Sequence, residues 1–173
     1  MKHLLVVTCF ALATGIASAQ LPSIPTTSMG VRGGLYFGGN FSGTTPGSSD
    51  RIEGLELGLD AGVFSLPSVE FRFSPTVAFG RSTDSGVDAD FYRLIGEAKF
   101  NIPSQAWYVA IGTGYGWTDN HGSGFDSSSG AVGQLTFGIE PKGSDGTKLY
   151  YEVSLVFGKP ELTGLSFDVG IKF

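Results

Sequence analysis

Apolar residues alternate with small or polar ones through eight separate stretches of the chain, the two-residue period of a β-strand. The stretches are 29–41, 52–64, 69–82, 90–102, 106–118, 131–141, 148–158 and 164–173. In the second, Leu55, Leu57, Leu59, Ala61 and Val63 share one face; in the seventh, Leu149, Tyr151, Val153, Leu155 and Phe157 do. No stretch keeps apolar residues at helical spacing. Nor does the mature chain hold the roughly 18 consecutive apolar residues that mark a membrane-crossing helix. Alternating strands of about 9–11 residues separated by turns are the pattern of a membrane barrel. The prediction is an all-β, eight-stranded antiparallel up-and-down transmembrane β-barrel over residues 29–173. Pro75 interrupts the third stretch. It cannot donate to a ladder, so a bulge or register break is expected there.

The connectors alternate in length. Residues 42–51, 83–89 and 119–130 are long and polar, whereas 65–68, 103–105, 142–147 and 159–163 are short. Long outer loops and short periplasmic turns are expected of such a barrel, with 159–163 a short exception on the outer side. An even strand count puts both ends of the barrel domain on the periplasmic side.

Alternation alone does not say which face meets lipid. A soluble lipocalin-like barrel would turn its apolar face inward around a lipophilic ligand. Trp107 and Trp117 argue for the opposite arrangement. They share one face of one strand, ten residues apart. At about 3.3 Å per residue and a tilt near 40° they stand about 25 Å apart along the axis, the height of an apolar band between aromatic girdles. Tyr92 and Phe157 join Trp117 in the expected outer girdle, and Phe100 and Phe173 join Trp107 in the inner one.

The other face is rich in glycine and carries nearly all the strand charges. Arg32, Arg72, Arg93, Lys99 and Lys172 are expected to face Glu56, Asp60, Glu70, Glu97, Glu140, Glu152 and Asp168 in a narrow lumen. Unpaired buried charge costs several kcal/mol, so these groups should pair or stay wet. One reading is a salt-bridge plug that fixes strand register. The other is a small gated pore in which a rearranging pair opens a water path.

Composition agrees with a surface that does not face water. Charged residues make up 16% of the chain, below the roughly 25% usual for soluble domains, and there are 27 glycines. Residues 1–19 read as a cleaved secretory signal peptide: Lys2, an apolar run from Leu4 to Ile16, and a small-x-small site at Ala17-Ser-Ala19. Residues 20–28 form a short N-terminal segment before the barrel. The one cysteine, Cys9, lies in the leader, so the mature chain has no disulfide and no thiolate chemistry. The formal net charge is −5, which argues against a nucleic-acid partner.

Chemistry is sparse. His121 is the sole histidine of the mature chain, and no metal site or cofactor is expected. Asp119, Asn120 and Asp126 lack the spacing of a calcium loop and read as loop solubility. His121-Gly-Ser123 is weakly similar to the His-x-Ser arrangement of an outer-membrane lipid A deacylase family. No Asn follows Ser123, and the nearest Glu is Glu140, on the inward face, so a solvated loop histidine is the better account.

The ending Leu165-Ser-Phe167-Asp-Val169-Gly-Ile171-Lys-Phe173 resembles the terminal β-signal of bacterial outer-membrane proteins. That resemblance implies the barrel-assembly machinery as a partner of the last strand. The layout of the whole mature chain is similar to the OmpA transmembrane domain and OmpX-type barrels. It implies a non-enzymatic protein of the bacterial outer membrane, surrounded by lipid, with any surface ligand meeting the polar loops.

Overall fold

The computed structural model describes residues 28–42, 49–66, 68–83, 86–121, 127–141 and 148–173. The leader, residues 20–27 and the centres of several connectors lie outside this set. Eight strands follow one another: β1 (Ser28–Ser42), β2 (Ser49–Ser65), β3 (Val69–Ser82), β4 (Asp88–Asn101), β5 (Trp107–Asn120), β6 (Ser129–Ile139), β7 (Lys148–Phe157) and β8 (Gly164–Lys172). Each is antiparallel to its predecessor, and β8 returns to β1, closing the sheet in sequence order. Closure removes every sheet edge. The seam is tied at its end by reciprocal backbone bonds, Met29 N to Phe173 O at 3.1 Å and Phe173 N to Met29 O at 2.8 Å.

The alternation places its apolar face outward. Leu35, Leu55, Leu57, Ile111, Phe137, Leu155 and Val169 are among the large apolar residues left exposed around the circumference. The inward face is buried and largely polar. This inverts a lipocalin, whose apolar residues line the cavity.

Several strands run beyond the expected bounds, so the connectors are shorter. β1 continues to Ser42, β2 starts at Ser49, and β5 continues to Asn120. The irregularity expected at Pro75 takes a different form. Pro75 stays in register opposite Leu94 of β4. Toward β2 the pairing is spaced identically at Gly58–Thr76 and at Ala61–Phe73, with no paired residues between. The ladder is therefore interrupted where the N–H is missing, without a slip. The bulge sits further along, between Gly62 and Phe64. It changes the phase of β2, so that Phe64 faces outward in line with Phe71. A second shift falls between Gly38 and Phe41, where Gly39 takes a φ of 73° open to glycine at little cost.

The connection from β7 to β8 carries a single 3-10 turn, Pro160–Leu162, at the loop end of the barrel. Leu162 turns inward and is 3% exposed, against Ile95, Val132 and Val156. Beside it Tyr36, Ile52, Ala78, Ala89 and Phe91 form a second apolar cluster. The loop end of the lumen is therefore apolar, and the remainder is charged.

Candidate functional site: the charged lumen

Every strand contributes inward polar groups because each strand's second face has no other place to put them. The widths work out through glycine. A Cβ on Gly58 would lie 2.7 Å from Nε of Arg32, and one on Gly112 would lie 2.6 Å from Cγ of Glu97. The rings of Tyr108 and Tyr150 lie over Gly138 and Gly170 at 2.1 Å from the position of such a Cβ. Large inward side chains thus lean across bare positions on the neighbouring strand.

Arg32, Arg72 and Glu152 form the centre. Arg32 Nη1 donates to Glu152 Oε2 at 2.8 Å, and Arg72 Nη1 meets Glu152 Oε1 at 2.6 Å. Tyr108 donates its hydroxyl to the same Oε1 at 2.6 Å. Arg32 also bonds Thr76 at 3.0 Å and lies 3.5 Å from Asp60. Asp60 accepts from Ser74 at 2.5 Å and from the hydroxyl of Tyr150. Arg72 Nε donates to Glu97, which also accepts from Gln134 at 2.8 Å. Arg93 pairs with Glu56, and its guanidinium lies 5.0 Å from the centre of the Tyr36 ring.

The end nearer Phe173 holds a lysine cluster. Lys99 bonds Glu140 at 2.5 Å and stands 4.0 Å over the Tyr108 ring. Lys172 bonds both oxygens of Glu70, at 2.9 and 2.7 Å, and Ser28 donates to Glu70 at 2.6 Å. Glu140 lies just past β6 and also meets Lys148 at 3.4 Å. The space enclosed among Asp60, Glu70, Arg72, Lys99, Tyr108 and Tyr150 is about 10 Å³, roughly one water position.

All twelve charges expected in the lumen lie there or at its mouth. The structure brings eleven of them into ion pairs; among the described residues, Asp168 is the one outside any ion pair and accepts only from Ser166, at 2.9 Å. Sequence reasoning did not find Tyr108, Tyr150, Ser74 or Gln134. Their phase is in the alternation itself: Tyr108 and Tyr150 fall on the inward positions of β5 and β7, next to the outward Trp107 and Leu149. Among the described residues, six buried side-chain polar atoms have no hydrogen-bond partner: Arg32 Nε, Glu56 Oε1, Arg72 Nη2, Arg93 Nη1, Gln134 Oε1 and Asp168 Oδ1.

On the outer wall, Trp107 is 55% exposed at one end of β5, and Trp117 at the other stacks on Tyr92 at 5.3 Å with planes 10° apart. Phe100, Phe157 and Phe173 also point outward. Leu165, Phe167, Val169 and Ile171 face outward along β8, opposite Phe37, Leu35, Gly33 and Val31 of β1. His121 Nε2 lies 2.9 Å from Asp90 Oδ2 at the loop end of β4 and β5. An acidic partner for this histidine was not legible, because Asp90 comes from another strand. Ser123 and Asp126 fall outside the described residues. Among the described residues, no group of three or more His, Cys, Asp or Glu is arranged to hold a metal ion.

No protein-family model matches the sequence, and no curated protein matches it. Solved structures do share its shape. The crystal structure of Neisserial surface protein A superposes with a TM-score of 0.59 at 9% identity, covering 84% of this chain and 94% of that one. Ail, the attachment invasion locus protein of Yersinia pestis, gives 0.50 at 14% identity, covering 84% and 98%. At these identities the likeness is one of fold: a closed eight-stranded antiparallel barrel of the small outer-membrane kind.

Proposed function

We propose that the chain is a non-enzymatic barrel of the bacterial outer membrane, exported by its leader and held in lipid by the outward apolar belt. One observation carries this reading: large apolar side chains are exposed all around a closed wall whose inner face is charged. A water-soluble protein rarely exposes so continuous an apolar surface. Trp107 and Trp117 with Tyr92, Phe100, Phe157 and Phe173 then act as the two aromatic girdles. The outward row Leu165, Phe167, Val169, Ile171 and Phe173 serves as the signal read by the assembly machinery. The layout of the OmpA transmembrane domain and OmpX belongs to this same reading.

Inside, the ion pairs act as a plug that locks strand register, and the wall presents the polar connectors to the outside. Loops on a rigid wall are the common place for recognition. NspA is by name a surface protein and Ail an attachment protein, which fits a surface-interaction role here. Steady conduction is disfavoured by the density of paired charge and by the apolar clusters at the loop end.

The test is fractionation followed by gel mobility. The mature protein is expected in outer membranes, running faster unboiled than boiled. A soluble protein without that shift would overturn the reading. In planar bilayers the barrel is expected to be silent; steady openings would replace the plug with a pore.

A further inference from the structure

The β-ladders set three carboxylates side by side across the closing seam. Glu152 of β7 is directly opposite Asp168 of β8, Asp168 is opposite Gly34 of β1, and Gly34 is opposite Glu56 of β2. Gly34 has no side chain, and a Cβ there would meet the Phe167 carbonyl first and then, at 2.5 Å, Oδ1 of Asp168, which comes close over the bare position. Asp168 thereby leans toward the strand that carries Glu56. Like charges directly opposite one another destabilise a sheet.

The neighbouring cations are committed elsewhere. Arg32 gives its guanidinium to Glu152, Thr76 and Asp60, and Arg93 gives its own to Glu56. Among the described residues no lysine or arginine makes an ion pair with Asp168, which is 2% exposed. Among the described residues, one hydrogen bond reaches its carboxyl, from Ser166 to Oδ2, its Oδ1 has no hydrogen-bond partner, and Oε1 of Glu56, itself 1% exposed, has none either.

From this arrangement we infer that Asp168 is a built proton-binding site: Oδ1 carries a proton and donates it across Gly34 to the free oxygen of Glu56, directly or through one water. A buried carboxylate without a counter-charge neutralises rather than remain ionised. A carboxylic acid fits each contact. Oδ2 is the carbonyl that accepts from Ser166, Oδ1–H is the donor, and Glu56 Oε1 gains the partner it lacks. Among the described residues no cluster here is arranged to hold a metal ion instead.

Infrared spectroscopy of the refolded full chain in detergent tests this. The expected result is a carboxylic-acid C=O band at neutral pH that shifts in D2O, vanishes in Asp168→Asn, and persists but moves in Glu56→Gln. The Asn variant is a neutral near-isostere, so its heat-modified gel shift should remain and its urea midpoint should equal or exceed that of the parent. Absence of the band, its survival in Asp168→Asn, or failure of that variant to fold would each overturn the assignment. So would a urea midpoint that depends on exchanging sodium for a bulky organic cation at constant ionic strength, because a bound monovalent ion would then replace the proton.

Discussion

The ring of Tyr108 occupies the space that a side chain at Gly138 would need, 2.1 Å from the position of a Cβ, while its hydroxyl reaches Glu152 at 2.6 Å. The glycine is what lets an inward tyrosine lie flat enough to join the central arginines. Gly138→Ala is therefore expected to destabilise the barrel by about 1–3 kcal/mol through overpacking. In a double-mutant cycle with Tyr108→Ala the two losses should fall short of adding, by roughly 0.5–3 kcal/mol, since the clash exists only when both are present. Urea titration of the refolded barrel followed by tryptophan fluorescence measures both.

Glu152 is the shared acceptor of Arg32, Arg72 and Tyr108. Removing it leaves two buried guanidinium groups short of a counter-charge. Glu152→Leu is expected to cost about 3–5 kcal/mol, far more than its loss of volume would suggest. Glu152→Gln, which keeps an acceptor oxygen, should cost less. The comparison of urea midpoints for the two variants separates charge from packing.

Ile111 lies outward near the middle of β5, between the two tryptophans, and is 55% exposed. If lipid covers it, Ile111→Arg should cost about 2–4 kcal/mol in bilayers, whereas Ile102→Arg beyond the end of β4 should cost roughly 0–1. Equal effects at the two positions would speak against a membrane belt. Folding equilibria in lipid vesicles give the numbers.

Leu162 fastens the β7–β8 connection to the loop end of the lumen. Leu162→Ala should loosen that contact at a cost of about 2–5 kcal/mol, the range for such a truncation in a packed site. Hydrogen exchange at the amides of Leu162 and Thr163, which bond to the carbonyls of Lys159 and Pro160, is expected to speed up markedly. The amides of β4 and β5 should be unaffected.

Fold and site were legible to different depths. The eight strands stood out because each separates two different surroundings, so its side chains alternate over nearly their whole length. That alternation carries only a two-residue period. It put Arg72 and Glu97 on the same inward wall, yet it could not say that they meet, because pairing depends on the offset between β3 and β4. The same blindness hid the phase change at Gly62–Phe64, which moves Phe64 rather than Val63 outward. At Pro75 the composition predicted trouble, and the ladder tolerates the missing donor by leaving a gap on one side only. The alternation also put Tyr108 and Tyr150 on the inward wall, but their roles were hidden because the carboxylates they meet, Glu152 and Asp60, lie on other strands.

The seam between β1 and β8 also governs time. Those two strands are the most distant in the barrel by chain position, and neither has its full set of backbone partners until the other arrives. The other seven ladders join strands that are adjacent in the chain, and they can form early and locally. Closure is a long-range search that is slow by comparison and leaves two open edges while it lasts. The molecule is at its most vulnerable to wrong pairing just before Met29 and Phe173 meet.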